Sequence, residues 1–144
     1  MQFLIFIIAY PFLWLISILP FPVFYGLSDG VYFLVYHVFG YRKKTVRENL
    51  AMALPHLSEA ERLVIEKKSY RHLCDMFMET VKTMTISSKE MNKRFVITNV
   101  EVIKEYEQKQ KSIILLASHY ASWEWLLTIN QKVSFQGVGV YKKI

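Results

Sequence analysis

Ser112-Ile113-Ile114-Leu115-Leu116-Ala117 is an unbroken apolar run between the polar Lys111-Ser112 and Ser118. A run of this kind suits a strand covered on both faces, as in a parallel sheet with helices above and below. Downstream, a helix is predicted through Trp125 to Lys132, followed by a strand over residues 135–141. Strand, helix, strand in that order makes a βαβ unit, whose ligand-facing edge is the carboxyl end of the strands. Upstream, Phe95-Val96-Ile97-Thr98 suits a short strand, and Asn99 can cap a helix over residues 102–108. The stretch from Phe95 onward therefore predicts an α/β fold.

The preceding stretch predicts helices. Residues 45–54 have a helical pattern that stops at Pro55. Ser58-Glu59-Ala60-Glu61 is a capping-box sequence, in which Ser58 and Glu61 satisfy each other's backbone amides. Apolar residues then recur at Leu63, Tyr70, Leu73, Phe77, Val81 and Met84, the stripe of one long amphipathic helix ending near Ser87. Ser87-Ser88-Lys89-Glu90 offers a cap for one more short helix. There is no internal repeat and no low-complexity linker.

Charge divides the chain of 144 residues in two. All 18 Lys and Arg lie at or beyond Arg42, and Asp29 is the only charged residue before it. The first 41 residues read as a membrane-associated segment, because residues 1–19 form an apolar span near the length a bilayer demands of a helix. Pro20 and Pro22 interrupt the pattern, and a second apolar stretch runs over residues 23–41. One span, a Pro-broken hairpin and an interfacial helix all fit. A secretory signal peptide fits badly, since no basic region precedes the run and no small-x-small cleavage site follows. Arg42, Lys43, Lys44 and Arg47 come directly after the head and point to the cytoplasmic side and to anionic headgroups. Residues 42–144 then form a basic domain on that side. At 53% hydrophobic residues the chain is no disordered protein, and the single Cys74 excludes a disulfide framework.

One constellation carries chemistry: Ser118-His119-Tyr120-Ala121-Ser122-Trp123-Glu124, at the carboxyl end of the central run. On one ideal helix His119 and Glu124 would be about 500° of turn apart and would not share a face. They meet if His119 lies in the loop and Glu124 in the first helical turn behind it. A carboxylate there holds one imidazole nitrogen and leaves the other to take a proton, with the nucleophile supplied by the substrate. Backbone amides at the helix start could also stabilise an oxyanion. As a spacing alone this is weak, and a loop His beside a solvated helix Glu is the favoured reading of it. His37, His56 and His72 have no metal-ligand spacing with His119, so no metal is expected. Neither a phosphate-cradling loop nor a nucleic-acid motif is present.

The surrounding words add a resemblance. His119-Tyr120-Ala121-Ser122-Trp123-Glu124 is similar to the His-x-x-x-x-Glu motif of the bacterial lipid A acyltransferases of the lauroyl/myristoyl type. Tyr41-Arg42-Lys43-Lys44-Thr45-Val46-Arg47-Glu48-Asn49-Leu50 resembles the family's Tyr-Arg-x-x-x-Val-x-x-Asn-Leu-like stretch. Pro55 with the Ser58-to-Glu61 helix start, Phe77-Met78-Glu79-Thr80 and the Gly-Val-x-x-Tyr of residues 137–141 follow in the family's order.

The resemblance implies an N-terminal membrane helix or helices, a long amphipathic helix, then the start of a glycerol-phosphate-acyltransferase-like α/β sheet. It implies acyl transfer from an acyl carrier protein thioester to a hydroxyl of a lipid A precursor at the bacterial inner membrane, without cofactor or metal. His119 would be the general base and Glu124 its orienting partner, with Glu79, Arg42, Lys43 and Lys44 as weaker substrate-binding candidates. No nucleic-acid partner is expected. Ser118 stands where the family commonly has Gly. The family continues for about as long again beyond Ile144, with later Arg and Asp motifs, so these residues alone are expected to be inactive. Two other readings fit the same residues: a general lysophospholipid acyltransferase, and a non-catalytic membrane-tethered module that binds lipid or a partner.

Overall fold

The computed structural model describes residues 2–118 and 120–138. The chain divides into two compact units after Thr85. The first contains α1 (Gln2–Ile18), α2 (Phe21–Tyr32), a π-helical segment (Phe33–Val38), α3 (Lys43–Ala53) and α4 (Glu59–Lys82). The second contains α5 (Ser88–Arg94), α6 (Val100–Gln108) and a 3-10 helix (Trp123–Gln131).

α4 organises the first unit, and α1, α2 and α3 all pack on it. Its start follows from local chemistry. The Ser58 amide donates to Glu61 Oε2 at 2.8 Å, and the Glu61 amide donates back to Ser58 Oγ at 3.3 Å. The capping box therefore forms as the sequence predicts. Ser58→Ala should cost about 1 kcal/mol, read as a lower urea midpoint with an unchanged slope.

The buried face of α4 differs from the expected stripe. Glu66, Tyr70, Cys74, Met78 and Lys82 are buried, while Phe77 is 65% exposed and Leu63 and Met84 also face outward. These buried residues recur every four positions, a row that lies along one side of a helix. Hydrophobic periodicity missed that row because both of its ends are charged. α2 and the π segment run antiparallel to α4 along a polar seam: Tyr25 donates to Glu79, Ser28 to Asp75, Arg71 pairs with Asp29, and Tyr36 donates to Glu66. At the other end Lys82 Nζ donates to the Ser17 and Leu19 carbonyls, both at 2.6 Å, and Thr85 Oγ1 donates to Ser17 at 2.7 Å. A cation at a helix C-terminus meets the negative end of its dipole, so this contact ties α4 to the end of α1.

The apolar head does not supply the expected membrane helices. Among the described residues no helix is long and apolar enough to cross a membrane. α1 stops at Ile18 after 17 residues, about 26 Å at 1.5 Å per residue, against about 30 Å of hydrocarbon. Pro20 ends it, α2 is 12 residues long, and the chain then widens into π geometry, with the Phe39 amide donating to the Leu34 carbonyl at 2.9 Å.

The expected sheet is also absent: there is no strand among the described residues. The run at residues 112–117 is irregular and solvent-facing, with Ile114 89% and Leu116 91% exposed. A strand exists only through pairing with a neighbour, and among the described residues neither expected neighbour pairs with it. Phe95 closes α5, its amide donating to the Met91 carbonyl at 2.8 Å. Residues 135–138 are irregular, and Gly137 lies so close to Asn130 that a Cβ there would stand 2.9 Å from the amide oxygen. The rest of the expected third strand, residues 139–141, lies outside the described residues. α6 forms near its expected place, but Asn99 enters it in the left-handed region (φ 57°) without a side-chain cap.

Candidate functional site

In the second unit the loop from Ser118 turns into the 3-10 helix through Ala121, whose φ of 51° is in the left-handed region. For a residue with a Cβ that conformation costs about 1 kcal/mol or more. Hydrogen bonds hold the turn: the Tyr120 amide donates to Ser118, Trp123 to Ala121 and Trp125 to Ser122, at 2.9, 2.9 and 3.0 Å. The Trp123 and Trp125 amides at this helix start are thus engaged within the turn.

Glu124 sits in the first turn of the 3-10 helix, half-buried, with one carboxylate oxygen enclosed. Its neighbour Trp125 anchors the turn. The indole is buried, meets the Phe95 ring edge-on at 6.5 Å between centroids, and its carbonyl accepts from Thr128 Oγ1 at 2.8 Å. The backbone at Glu124 is therefore fixed by packing on one side and a tight turn on the other. His119 lies outside the described residues.

The remaining candidates fall in the first unit. Glu79 accepts from Tyr25 Oη at 2.7 Å, a bond that belongs to the seam between α2 and α4. Arg42 is exposed, has a φ of 52° and precedes α3. The Lys43 ammonium lies 3.8 Å from the centroid of the Tyr36 ring, a cation–π contact. Lys44 stands 4.0 Å from Glu48, and both side chains are exposed.

Arg47, the fourth member of the basic cluster, forms a contact that the sequence does not reveal. Its guanidinium donates to both carboxylate oxygens of Glu66, at 2.9 and 3.2 Å, and Tyr36 Oη donates to the same carboxylate at 2.9 Å. Burial pushes the Glu66 carboxyl up, but the hydrogen bonds from Arg47 and Tyr36 and the nearby Arg47 and Lys43 charges outweigh it, so its pKa lies below the usual value. Burial, then Glu66 itself, raises Tyr36. The sign for stability follows. A carboxylate with a depressed folded pKa binds fewer protons when folded, so it stabilises above the unfolded value and loses that contribution as pH falls through the folded one. Melting temperature should therefore drop below about pH 4, and Glu66→Gln should flatten that drop, as followed by circular dichroism.

The family described as bacterial lipid A biosynthesis acyltransferase matches residues 1–143, and the chain belongs to that family. It is similar to the lipid A biosynthesis lauroyltransferase of Escherichia coli (strain K12), with 28% identity over 130 residues. The match covers 90% of this chain and 42% of that relative, so the chain spans less than half of the relative's length. No solved structure matches the chain.

Proposed function

We propose that the protein transfers an acyl group from an acyl carrier protein thioester to a hydroxyl of a lipid A precursor at the bacterial inner membrane. His119 takes the proton of the acceptor hydroxyl as its oxygen attacks the thioester carbonyl. The C–O ester bond forms, the C–S bond breaks, and the imidazolium returns the proton to the leaving thiolate. Glu124 holds the imidazole in the tautomer that accepts this proton and stabilises the cation that forms. The family match across residues 1–143, a range that contains His119 and Glu124, is the observation that carries the reading. The fixed backbone at Glu124 supports it, because an orienting carboxylate must itself be held. The basic residues Arg42, Lys43 and Lys44 support a site on the cytoplasmic face, where anionic headgroups attract them.

The test offers radiolabelled acyl carrier protein thioester to the full-length reading frame with two acceptors side by side, a Kdo-bearing lipid A precursor and a lysophospholipid. Label should enter the lipid A precursor. Label entering the lysophospholipid instead would assign the protein to general phospholipid acylation, and label in neither would remove the proposal.

A further inference from the structure

We propose that the cleft between α3 and α4 binds the phosphorylated headgroup of a lipid. The cleft has a volume of 370 Å³, within the range of small-ligand sites. Val46, Leu73 and the Tyr70 ring give it apolar lining, while Arg42, Asn49 and Ser69 supply hydrogen-bond donors. No acidic side chain lines it. The Tyr-Arg-x-x-x-Val-x-x-Asn stretch thus does one spatial job, because Tyr41, Arg42, Val46 and Asn49 all face this space.

The fate of the basic cluster singles out Arg42. Arg47 is held by Glu66, Lys43 covers the Tyr36 ring, and Lys44 lies near Glu48. Among the described residues the Arg42 guanidinium has neither an ion pair nor a hydrogen bond, and of these four residues Arg42 alone lines the cleft. A guanidinium offers a planar fork that matches two phosphate oxygens, and Asn49 and Ser69 add neutral donors. The apolar lining fixes the source of the phosphate. A free anion has nothing to place against Val46 and Leu73, whereas the glyceryl and acyl carbons of a phosphorylated lipid do.

The site stands apart from the acyl-transfer reading. Lipid bound without turnover would leave it intact, and turnover that survives loss of the cleft would leave acyl transfer intact.

The full chain is titrated calorimetrically with monomeric dihexanoyl phosphatidic acid, and in parallel with dihexanoylglycerol and with inorganic phosphate. Saturable binding of the phosphatidic acid is expected, with little binding of the other two. Arg42→Gly should weaken it about tenfold or more, and since glycine accepts a φ of 52° freely, misfolding does not explain such a loss. Asn49→Leu, which keeps the charge, should weaken it as well. Lys68→Ala removes one positive charge from an exposed position of α4 that does not line the cleft, and should change affinity less than about twofold. Equal losses for Arg42→Gly and Lys68→Ala would mean diffuse attraction and overturn the site. Inorganic phosphate or dihexanoylglycerol binding as tightly as the phosphatidic acid would overturn the lipid headgroup as occupant.

Discussion

His119→Ala, assayed in the full-length reading frame with a carrier-protein thioester, is expected to reduce acyl transfer to background. An alcohol is a poor nucleophile until its proton is removed, and a positioned base contributes about 10²–10⁴ in rate. His37 and His72 lie in the first unit, on the π segment and on α4, and the sequence places no other His near Glu124. If Glu124 orients His119 as proposed, Glu124→Gln can still hydrogen-bond the imidazole but loses the charge that would stabilise its cation, so turnover should fall by about 10²–10⁴ while KM changes little. A fall in KM affinity without a fall in turnover would instead make Glu124 a binding residue. Glu124 is half-buried in a tightly bonded turn that an isosteric amide fits, so the variant should keep its fold and the loss should report the charge.

The second large effect concerns folding. Glu66 is 1% exposed, and it links α4 to the π segment through Tyr36 and to α3 through Arg47. Glu66→Ala removes the acceptor for three hydrogen bonds at once, leaves the Tyr36 hydroxyl buried without its partner, and opens a void. Breaking a buried pair from one side costs about 3–5 kcal/mol. Arg47 is half exposed and can return to water, which places the loss near 3 kcal/mol. For a unit of this size that lowers the melting temperature by about 12 °C or more. Tyr36→Phe should cost about 1 kcal/mol, since it removes one neutral donor and leaves the Arg47 pair in place. If both variants melt with the wild type, the polar seam does not hold the unit together.

What the sequence made legible is what local hydrogen bonding decides. Ser58 and Glu61 satisfy each other within one turn, Ser87 caps α5 by accepting from the Glu90 amide, and α3 ends before Pro55. None of these depends on a distant partner. The strand at residues 112–117 was a different kind of inference. Its apolar pattern describes a strand only if two neighbours pair with it, and α5 holds Phe95 while Asn130 meets Gly137. The core of α4 was misread for a related reason. Glu66 and Lys82 are buried because of partners 19 and 65 residues away in sequence, which a hydrophobic stripe does not register. At the candidate site, the words around His119 and Glu124 carried the family assignment, whereas the α3–α4 cleft emerged only once Arg42 and Asn49 were seen facing Ser69 and Leu73 across two helices.

Ester formation on a lipid A hydroxyl through His119 is read directly in the mass of the acceptor. A Kdo-bearing lipid A precursor is incubated with a single-chain-length carrier-protein thioester and the full-length protein, wild type or His119→Ala. Wild type is expected to raise the acceptor's mass by one acyl group, as an ester, and His119→Ala to leave it unchanged. An unchanged acceptor with the wild type, or the same acylated product from both proteins, would contradict this chemistry.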